Sequence, residues 1–309
     1  MKVVTITPNP ALDINGVVDA MKPDEKAYVH DEQRAPGGNA INVARILNRF
    51  QVPVVASGFL GGATGDEVLN LLKLEKIPVD FTRVKQSTRI NVTVSNRQNH
   101  RQTRLSFAGP QISSAEKEKL IRIFKSYRSA KILVVGGSLP PGYKVSDLKK
   151  LITTAQKRNV RVVVDCPGTT FTDLKVKNIL LIKPNLEEFQ QMTGTKVKTI
   201  KAVQAKAQAL LKNCEYVCVS SVEGGALLVT KAASFFGKIP AVKIRSTVGA
   251  GDSMVACMVA QLAQGNSSAE EILRWGLAAS AATLIEPGTR LGQASIIRGL
   301  YEKTKVRAL

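Results

Sequence analysis

The chain has 309 residues, of which 44% are hydrophobic and 22% are charged, and its formal net charge is +20. This composition is ordinary for a globular protein, and the length suits one large α/β domain or one domain with an appendage. The apolar runs fall short of the roughly 18 residues that a membrane-spanning helix needs, so we expect no membrane partner. Pro8, Asn9 and Pro10 interrupt the first apolar stretch, which argues against a signal peptide. The 4 cysteines have neither C-x-x-C spacing nor a neighbouring histidine, so we predict reduced thiols and a cytoplasmic protein.

The excess of lysine and arginine predicts attraction for negatively charged partners. Nucleic acid is the first alternative, because a basic stripe neutralises backbone phosphates. The basic residues are spread along the chain, however, and aromatic residues make up only 5% of it. The densest basic stretch, 97–104, lacks the interleaved aromatic rings on which bases stack. We therefore expect no nucleic-acid partner and ascribe the charge to attraction of phosphorylated small molecules.

Short apolar runs alternate with helical patterns along the chain. The runs are rich in β-branched residues and almost continuously apolar, which is typical of strands buried on both faces of a parallel sheet. Alternating strands and helices predict a doubly wound, mainly parallel α/β sheet flanked by helices, in a single domain that spans 1–309. The predicted strands are 3–7, 132–136, 161–165, 179–183 and 216–220, and the predicted helices are 39–50, 113–127 (opened by a Ser113–Glu116 capping box), 147–157 (capped by Ser146) and 201–211.

Two segments break this alternation. Residues 17–34 are polar, and in 90–107 the apolar residues Ile90, Val92 and Val94 alternate with polar ones before a polar turn at 96–102 and a second extended run. The pattern predicts a hairpin with one apolar face, which cannot be buried by the hairpin alone. We therefore predict a small antiparallel β lid, formed by about 12–35 and 86–108, that covers a site or meets a partner.

The most informative motif is Ser246-Thr247-Val248-Gly249-Ala250-Gly251-Asp252-Ser253, which precedes an apolar helical pattern. Glycines let the backbone approach a ligand, and amides at a helix N-terminus favour negative charge. An Asp beside such a loop can take a proton from a hydroxyl while the amides hold the charge that develops. Taken alone, the motif also fits a tight turn with an N-capping Asp. The Rossmann interpretation fails, because Met254 stands where the third glycine would be.

Three more loops follow predicted strands or open helices. They are Gly37-Gly38-Asn39-Ala40-Ile41-Asn42, Gly136-Gly137-Ser138-Leu139-Pro140-Pro141-Gly142 and Lys183-Pro184-Asn185-Leu186-Glu187-Glu188. Ligand loops are expected at the carboxyl edge of a parallel sheet. Neither a G-x-x-x-x-G-K-[ST] loop nor an H-R-D catalytic loop occurs, which excludes a P-loop kinase and a protein kinase.

Taken together and in this order, the motifs resemble those of the PfkB-type carbohydrate kinases of the ribokinase superfamily. The likeness is to the phosphosugar branch, which holds the phosphofructokinases and the tagatose-6-phosphate kinases. It runs from Thr7-Pro8-Asn9-Pro10 to Gly288-Thr289-Arg290-Leu291, which is nearly the whole chain. The resemblance implies a ribokinase-like fold and ATP-dependent phosphorylation of a phosphosugar. Asp252 would be the general base, with the backbone of Gly249, Ala250 and Gly251 as the anion hole.

The same resemblance implies the substrate contacts. Asp13, Gly37, Gly38 and Asn42 would meet the sugar hydroxyls, while Arg89 and Ser138 would hold the phosphate already on the sugar. Lys26, in the other lid segment, either faces this phosphate or is a solvated lysine. Residues 61–65 and 282–291 look most like the minor type of 6-phosphofructokinase, which favours fructose 6-phosphate as the acceptor. Residues 9–13 and 88–92 look as much like 1-phosphofructokinase, so fructose 1-phosphate and tagatose 6-phosphate stay open.

The resemblance also implies the nucleotide side and the assembly. Asn185 and Glu188 would order Mg²⁺ through water, and potassium is left open as a second cation. Pairing of the lids implies a homodimer. A non-catalytic sugar-phosphate-binding or nucleic-acid-binding protein on the same scaffold is the alternative, but it would not need a base, an anion loop and an Asn-x-x-Glu pair together. The implied nucleotide-binding residues are Lys183, Asn185, Ser220, Gly225, Ser246 and Thr247.

Overall fold

The computed structural model describes residues 2–99 and 101–309, apart from the side chain of Lys2. Fourteen strands and ten helices are found within these ranges. The strands are β1 Lys2–Thr7, β2 Ala11–Val18, β3 His30–Gly37, β4 Val54–Leu60, β5 Thr82–Arg83, β6 Arg89–Asn96, β7 Arg101–Ser106, β8 Ala130–Gly136, β9 Arg161–Asp165, β10 Ile179–Ile182, β11 Cys214–Val222, β12 Gly225–Val229, β13 Ser234–Lys238 and β14 Val306–Ala308. The helices are α1 Asn39–Arg49, α2 Gly62–Leu74, α3 Ser114–Ser126, α4 Val145–Gln156, α5 Gly168–Leu174, α6 Leu186–Thr193, α7 Ile200–Leu210, α8 Ala250–Ala263, α9 Ala269–Leu284 and α10 Ala294–Lys303.

The main sheet has the strand order β14-β13-β12-β11-β10-β9-β8-β1-β4-β5. The strands from β11 to β5 run parallel, whereas β12, β13 and β14 are joined by antiparallel pairs. Consecutive residues of β8 point to opposite faces, and both faces are covered by apolar packing: Ile132 and Val134 join one core cluster, Leu133 and Val135 the other. Burial on both faces explains the continuous apolar runs. The predicted doubly wound, mainly parallel sheet is confirmed.

A separate four-stranded sheet, which we call the lid sheet, has the order β3-β2-β6-β7. Its outer pairs are antiparallel, while β2 and β6 at its centre run parallel, with Ala11 opposite Arg89. Both predicted lid segments contribute strands. The turn predicted at 96–102 is shorter than expected, because β6 ends at Asn96 and β7 already begins at Arg101. His100, within that turn, lies outside the described residues. The hairpin therefore gains a parallel neighbour, and with it the third and fourth strands that an isolated hairpin lacks.

The ends of the helices follow the expected capping chemistry with one correction. The Ser113–Glu116 capping box is present, because Ser113 Oγ accepts from the Glu116 amide at 3.4 Å and the Ser113 amide donates to Glu116 Oε2 at 2.7 Å. The prediction that Ser146 caps the next helix is wrong. That helix begins at Val145 with Lys144 as its N-cap, and the Lys144 amide donates to Asp147 Oδ2 at 2.8 Å. Ser146 therefore lies inside the helix, and the side chain that bonds to the N-cap residue is the carboxylate of Asp147.

The cysteines are unpaired in this structure. Cys214, Cys218 and Cys257 are buried, and Cys166 is half-buried beside the end of β9. Burial raises the pKa of all four thiols, so they stay protonated near neutral pH and are poor nucleophiles. Separately, none of the helices in the described ranges has both the length and the apolar character to cross a bilayer.

Candidate active site

A polar cleft of about 470 Å³ lies at the carboxyl edge of the main sheet, and the lid sheet contributes one wall. Asp165 ends β9, Ser138 follows β8 and Lys183 follows β10. Because these strands are parallel neighbours, their carboxyl ends meet at one edge, where ligand loops of open α/β sheets are found. Asp13 and Arg89 reach the same space from the lid sheet. The fold thus gathers residues that are far apart in the chain.

The Gly249-Ala250-Gly251-Asp252 loop forms the floor of the cleft at the N-terminus of α8. Gly249 has a φ of 76°, and a Cβ there would stand 2.5 Å from Leu291 Cδ2, so the turn requires glycine. Asp252 is the third residue of α8. The first amides of a helix have no acceptor within the helix, and the helix dipole adds positive potential. The floor therefore offers backbone donors to an anion directly beside a carboxylate.

The carboxylate of Asp252 is held by one short hydrogen bond and surrounded by charges. Asn42 Nδ2 donates to Asp252 Oδ2 at 2.7 Å. Burial and, next, the neighbouring Asp165 raise the pKa of Asp252 to about 7, against the lowering effects of Asn42 and Lys183. A carboxylate with a pKa near neutrality suits general-base catalysis.

Lys183 and Asp165 form a buried ion pair in the same cleft. Lys183 Nζ lies 3.5 Å from Asp165 Oδ1, and the two side chains are 7% and 9% exposed. Burial opposes the charge of Lys183, but Asp165, Asp252 and Glu188 outweigh it, so the pKa of the lysine is raised. Lys183 is therefore a permanent cation. A Cβ on Gly251 would come within 3.2 Å of its ammonium nitrogen, which shows how closely Lys183 approaches the loop.

Hydrogen bonds from Arg45 to Asn42 and to Glu75 fix the orientation of the Asn42 side chain. Arg45 Nη1 donates to Asn42 Oδ1 at 3.2 Å, which leaves the amide nitrogen of Asn42 to face Asp252. Arg45 is only 6% exposed and pairs with Glu75, with Nη2 to Oε1 at 2.6 Å. An arginine that binds a carboxylate through two nitrogens is fixed in direction. The chain of contacts from Glu75 to Asp252 therefore determines which end of the Asn42 amide meets the base.

The polar face of the lid sheet lines the opposite wall. Asn91 Nδ2 donates to Asp13 Oδ1 at 2.8 Å, while Asn91 Oδ1 is buried without a partner among the described residues. Burial raises the pKa of Asp13. A Cβ on Gly37 would stand 2.3 Å from the Asp13 carboxylate, so glycine is needed for the strand to pass this side chain. The wall offers a carboxylate and an unused amide oxygen, both acceptors for ligand hydroxyls.

Arginines complete this wall. Arg89 donates to the carbonyl oxygens of Phe107 and Asn9 at 3.0 and 3.1 Å, and its Nε is buried without a partner in the described part of the chain. Arg104 Nη2 donates to Thr247 Oγ1 at 3.1 Å, which joins the lid sheet to the loop before α8. Two fixed guanidinium groups in one cleft favour a ligand that carries phosphate.

The hairpin's two faces have opposite character. Arg89, Asn91 and, on β7, Arg104 point into the cleft, whereas the alternate residues Val92 and Leu105 lie on the other face, with Leu105 54% exposed. The polar face of the hairpin therefore lines the cleft. Its apolar face, extended by Ile14, Ile90 and Val94, is turned away from the cleft.

A second cavity of about 480 Å³ adjoins the first. It shares Lys183, Asn185, Thr247 and Gly251 with the cleft, and beyond them it becomes largely apolar. A shared polar neck between a polar cleft and an apolar slot fits a nucleotide whose phosphates reach the cleft while its base occupies the slot. The residues that line the slot beyond the neck include Ser220, Gly224, Gly225, Ala250, Met254, Leu277 and Ser280.

The predicted magnesium residues have a structural role as well. Glu188 Oε2 accepts from the Asn185 amide, and Asn185 Oδ1 accepts from the Glu188 amide, both at 2.9 Å, which makes a capping box for α6. No group of three or more His, Cys, Asp or Glu residues suitable for a metal occurs in residues 2–99 and 101–309. Oxygen atoms of Asn185 and Glu188 at the cleft nevertheless fit Mg²⁺, which keeps several waters and takes few protein ligands.

The structure brings most of the predicted site residues together. Lys26 does not line the cleft: it is exposed, and its ammonium group lies 4.8 Å from the centre of the Tyr28 ring. Ser246 is buried below the loop, where its Oγ accepts from the Val248 amide at 3.3 Å. The residues that line the cleft or the slot are Asp13, Gly38, Asn42, Arg89, Ser138, Lys183, Asn185, Glu188, Ser220, Gly225, Thr247, Gly249, Ala250, Gly251 and Asp252.

The sequence interpretation missed four polar residues of the cleft, Asn39, Asn91, Arg104 and Asp165. Two of them had a usable signal. Asn91 is two residues after Arg89 on a strand, so it shares the face of Arg89. Asp165 ends a predicted parallel strand, which is the position that marked Ser138. Arg104 depended on the register between β6 and β7, which the sequence did not specify.

The arrangement is that of a phosphotransferase that moves a phosphoryl group from a nucleotide to an alcohol. A carboxylate at a helix N-terminus, backbone amides and a buried lysine lie where a polar cleft meets an apolar slot. The comparison with known families agrees: the pfkB family carbohydrate kinases match residues 7–295. The chain belongs to this family.

Similar proteins cover almost the entire chain. The ATP-dependent 6-phosphofructokinase isozyme 2 of Escherichia coli is 35% identical over 294 residues, which are 94% of this chain and 95% of the relative. The 1-phosphofructokinase of Bacillus subtilis is 31% identical over 308 residues, or 99% of this chain and 100% of the relative. The crystal structure of phosphofructokinase-2 from Escherichia coli in complex with substrates and products matches with a TM-score of 0.94 at 34% identity, and the match covers 98% of this chain and 99% of that chain.

The hydrogen bonds behind Asn42 predict a shift in the pH dependence of catalysis. In Arg45→Gln the amide of Asn42 loses the donor that orients it, so the Asp252 carboxylate loses support and its pKa rises further. We expect the acidic limb of the kcat/KM profile to move upward by about one pH unit, since a hydrogen bond to a charged group stabilises the ionised form.

Arg49→Gln is the matched control. Arg49 also lies 3.8 Å from Glu75, but its guanidinium group donates to the carbonyl oxygens of Leu291 and Gly292 at 2.7 and 2.9 Å instead of to Asn42. This variant should keep the wild-type acidic limb even if it unfolds at a lower temperature. Equal shifts in both variants would contradict the role assigned to Arg45.

Proposed function

We propose that the protein transfers the γ-phosphoryl group of ATP to the free primary hydroxyl of a phosphosugar, with fructose 6-phosphate as the preferred acceptor. The observation that carries this proposal is the position of Asp252, which lies among backbone donors at the start of α8, in a cleft whose opposite wall carries two arginines. Burial of the thiols and the need for ATP favour the cytoplasm as the compartment.

Catalysis follows from positioning and electrostatics. Asp252 accepts the proton of the sugar hydroxyl as the hydroxyl oxygen forms a bond to the γ-phosphorus and the bond to the ADP oxygen breaks. The amides of Ala250 and Gly251 and the ammonium group of Lys183 stabilise the charge on the transferring group. Mg²⁺, which Asn185 and Glu188 would hold through water, would neutralise charge on the nucleotide phosphates. The Arg104–Thr247 hydrogen bond brings the lid sheet to the nucleotide side and so limits access of water.

The lid sheet would orient the acceptor. Asp13 and Asn91 present acceptor oxygens for sugar hydroxyls, and Arg89, Arg104 and Ser138 surround the place of the phosphate that the sugar already carries. Because this phosphate is bound far from the reacting oxygen, its binding energy is used to hold the free hydroxyl of the sugar in position for the reaction. A sugar without it would bind weakly and react slowly.

Fructose 6-phosphate and fructose 1-phosphate each combine one phosphate with one free primary hydroxyl at the opposite end. Either sugar could therefore bind with its phosphate at the arginines of one wall and its free primary hydroxyl at Asp252 on the floor of the cleft. We favour fructose 6-phosphate because the 6-phosphofructokinase of Escherichia coli has the higher identity of the two relatives described. Fructose 1-phosphate and tagatose 6-phosphate are the competing acceptors in the substrate comparison below.

We also propose a homodimer that buries the apolar face of the lid sheets. This face carries Val92, Val94 and Leu105, of which Leu105 is 54% exposed in the single chain, whereas Ile14 and Ile90 on the same face already pack in part against the core. An exposed apolar sheet face is stabilised by a second copy of itself in a two-fold arrangement. Pairing at this face leaves the polar face free to bind the sugar.

Asp252→Asn should abolish most of the activity while the protein stays folded. The amide cannot accept the hydroxyl proton, so kcat should fall by about 10²–10⁴. In the wild type, kcat/KM should fall as the pH drops through about 7, because the raised pKa of Asp252 leaves it protonated below that value. Coupled ADP release measures both effects. Full activity of Asp252→Asn would show that another group is the base, and normal sugar-phosphate binding would show that the cleft is intact.

Arg89→Gln should weaken binding of the phosphosugar. Loss of the Arg89 guanidinium group should raise KM for the preferred acceptor by about tenfold or more, since a charge-assisted phosphate contact is lost. ADP release is compared with fructose 6-phosphate, fructose 1-phosphate and tagatose 6-phosphate. Arg101→Gln, on the exposed end of the same hairpin, should leave KM unchanged. A clear kcat/KM preference for fructose 1-phosphate or tagatose 6-phosphate would replace the proposed acceptor.

Val92→Lys combined with Leu105→Lys should convert the protein to a monomer. Two charges on the apolar face would have to be desolvated in the dimer, so the interface would no longer form. Light scattering measures the mass, which should be twice the chain mass for the wild type and equal to it for the variant. A wild-type mass near the 33.3 kDa of one chain would contradict the dimer.

A further inference from the structure

The edge of the main sheet opposite the active site has a composition unlike the rest of the chain. Because β8, β9, β10 and β11 are parallel neighbours, the loops before them meet at one edge. The turn between β12 and β13 joins them, since β12 runs antiparallel to β11. These five segments, residues 127–131, 157–161, 175–178, 211–216 and 230–233, hold nine Lys and Arg residues and one acidic residue, Glu215. The whole chain has 44 basic and 24 acidic residues.

Most of this positive charge is not neutralised within the protein. Arg161 pairs with Glu215, Nη2 to Oε2 at 2.8 Å. Arg158 donates to the carbonyl oxygens of Phe124 and Tyr127 at 3.1 and 3.0 Å. The remaining seven are exposed, and no side-chain hydrogen bond or ion pair is found for them in the described part of the chain: Arg128, Lys131, Lys157, Lys175, Lys177, Lys212 and Lys231.

Two adjoining depressions cut into this edge. One, of about 540 Å³, is lined by Lys212, Lys231, Asn178, Asn213 and Tyr216, and also by Glu215, whose carboxylate pairs with Arg161. The other, of about 530 Å³, is lined by Lys175, Lys177 and Lys212, with Phe171 on its wall. Lys212 and Asn213 belong to both. We call the continuous depression the basic groove.

We propose that the basic groove binds a single-stranded nucleic acid. Lysines along a groove neutralise successive backbone phosphates, while the two asparagines can bond to base edges. Tyr216 and Phe171 are half-buried on the groove walls, where bases could stack on their exposed parts. The lysines line two depressions and not a flat face, and none of the large exposed apolar side chains lies in the five segments to insert into a membrane.

This inference revises the expectation of no nucleic-acid partner that the sequence favoured. The basic residues are indeed spread along the chain, in five segments between residues 127 and 233. Parallel strand order collects the segments at one edge. The groove lies at the amino ends of the strands and the active site at their carboxyl ends, so a bound strand would leave the phosphosugar and nucleotide sites open.

The test uses the intact protein and a fluorescent oligouridylate of about 20 nucleotides, long enough to cross the groove. Fluorescence anisotropy gives the affinity at several salt concentrations, with Mg-ATP present so that the nucleotide slot is occupied. The groove variant carries Lys175→Gln, Lys177→Gln, Lys212→Gln and Lys231→Gln. Its slope of log K against log salt should be smaller by about 3, because each lost single-strand phosphate contact contributes about 0.7.

The matched control removes the same charge elsewhere, through Lys119→Gln, Lys149→Gln, Lys206→Gln and Lys303→Gln. These lysines are exposed and lie on α3, α4, α7 and α10. The control should bind like the wild type, and both variants should keep kinase activity. Equal losses in the two variants would mean that net charge, not the groove, attracts the strand, and this would overturn the proposal. So would undetectable binding by the wild type at low salt, or binding only to phosphatidylserine vesicles in a sedimentation assay.

Discussion

The cleft depends on the buried ammonium group of Lys183. It lies 3.5 Å from Asp165, and its charge also acts on Asp252. Two carboxylates that face each other away from water oppose each other's ionisation, and burial adds to the cost. Without the lysine and the amide of Asn42, Asp252 would stay protonated at neutral pH and could not act as a base. The close approach of Lys183 to Gly251 also brings a cation to the loop where the phosphoryl group would move.

The lid sheet shows how one strand pattern serves two tasks. Alternation along β6 sends Arg89 and Asn91 to the cleft and Val92 to the opposite face. A shift of the register by one residue would exchange these faces, so the proposed sugar contacts and the proposed dimer surface depend on the same pairing. The central parallel pair of β2 and β6 places Asp13 opposite Asn91, within hydrogen-bond distance.

Strands, the capping box at Ser113 and the catalytic loop were predictable because their signals are local. Each signal lies within a few consecutive residues: an apolar run, a hydroxyl three residues before a Glu, or glycines before an Asp. Ser146 was misassigned because the helix begins before it, at Val145, and the carboxylate of Asp147 accepts from the amide of the N-cap Lys144. Ser246 is not among the residues that line the cleft or the slot, and its hydroxyl accepts a hydrogen bond from the Val248 amide. Arg104 required the register across the hairpin, which no local pattern encodes.

The sequence by itself determined the fold class, the position of Asp252 at the start of a helix and most residues that line the cleft, because each depends on short-range periodicity or on a motif that carries its own geometry. The tertiary structure alone decided which distant groups share an environment. Asn42 and Asp252 are 210 positions apart yet lie 2.7 Å apart, and the lysines of the basic groove come from separate loops. Electrostatic interactions act through space. The pKa of a carboxylate and the net charge of a surface therefore depend on which residues pack together, and this cannot be read from the order of residues along the chain.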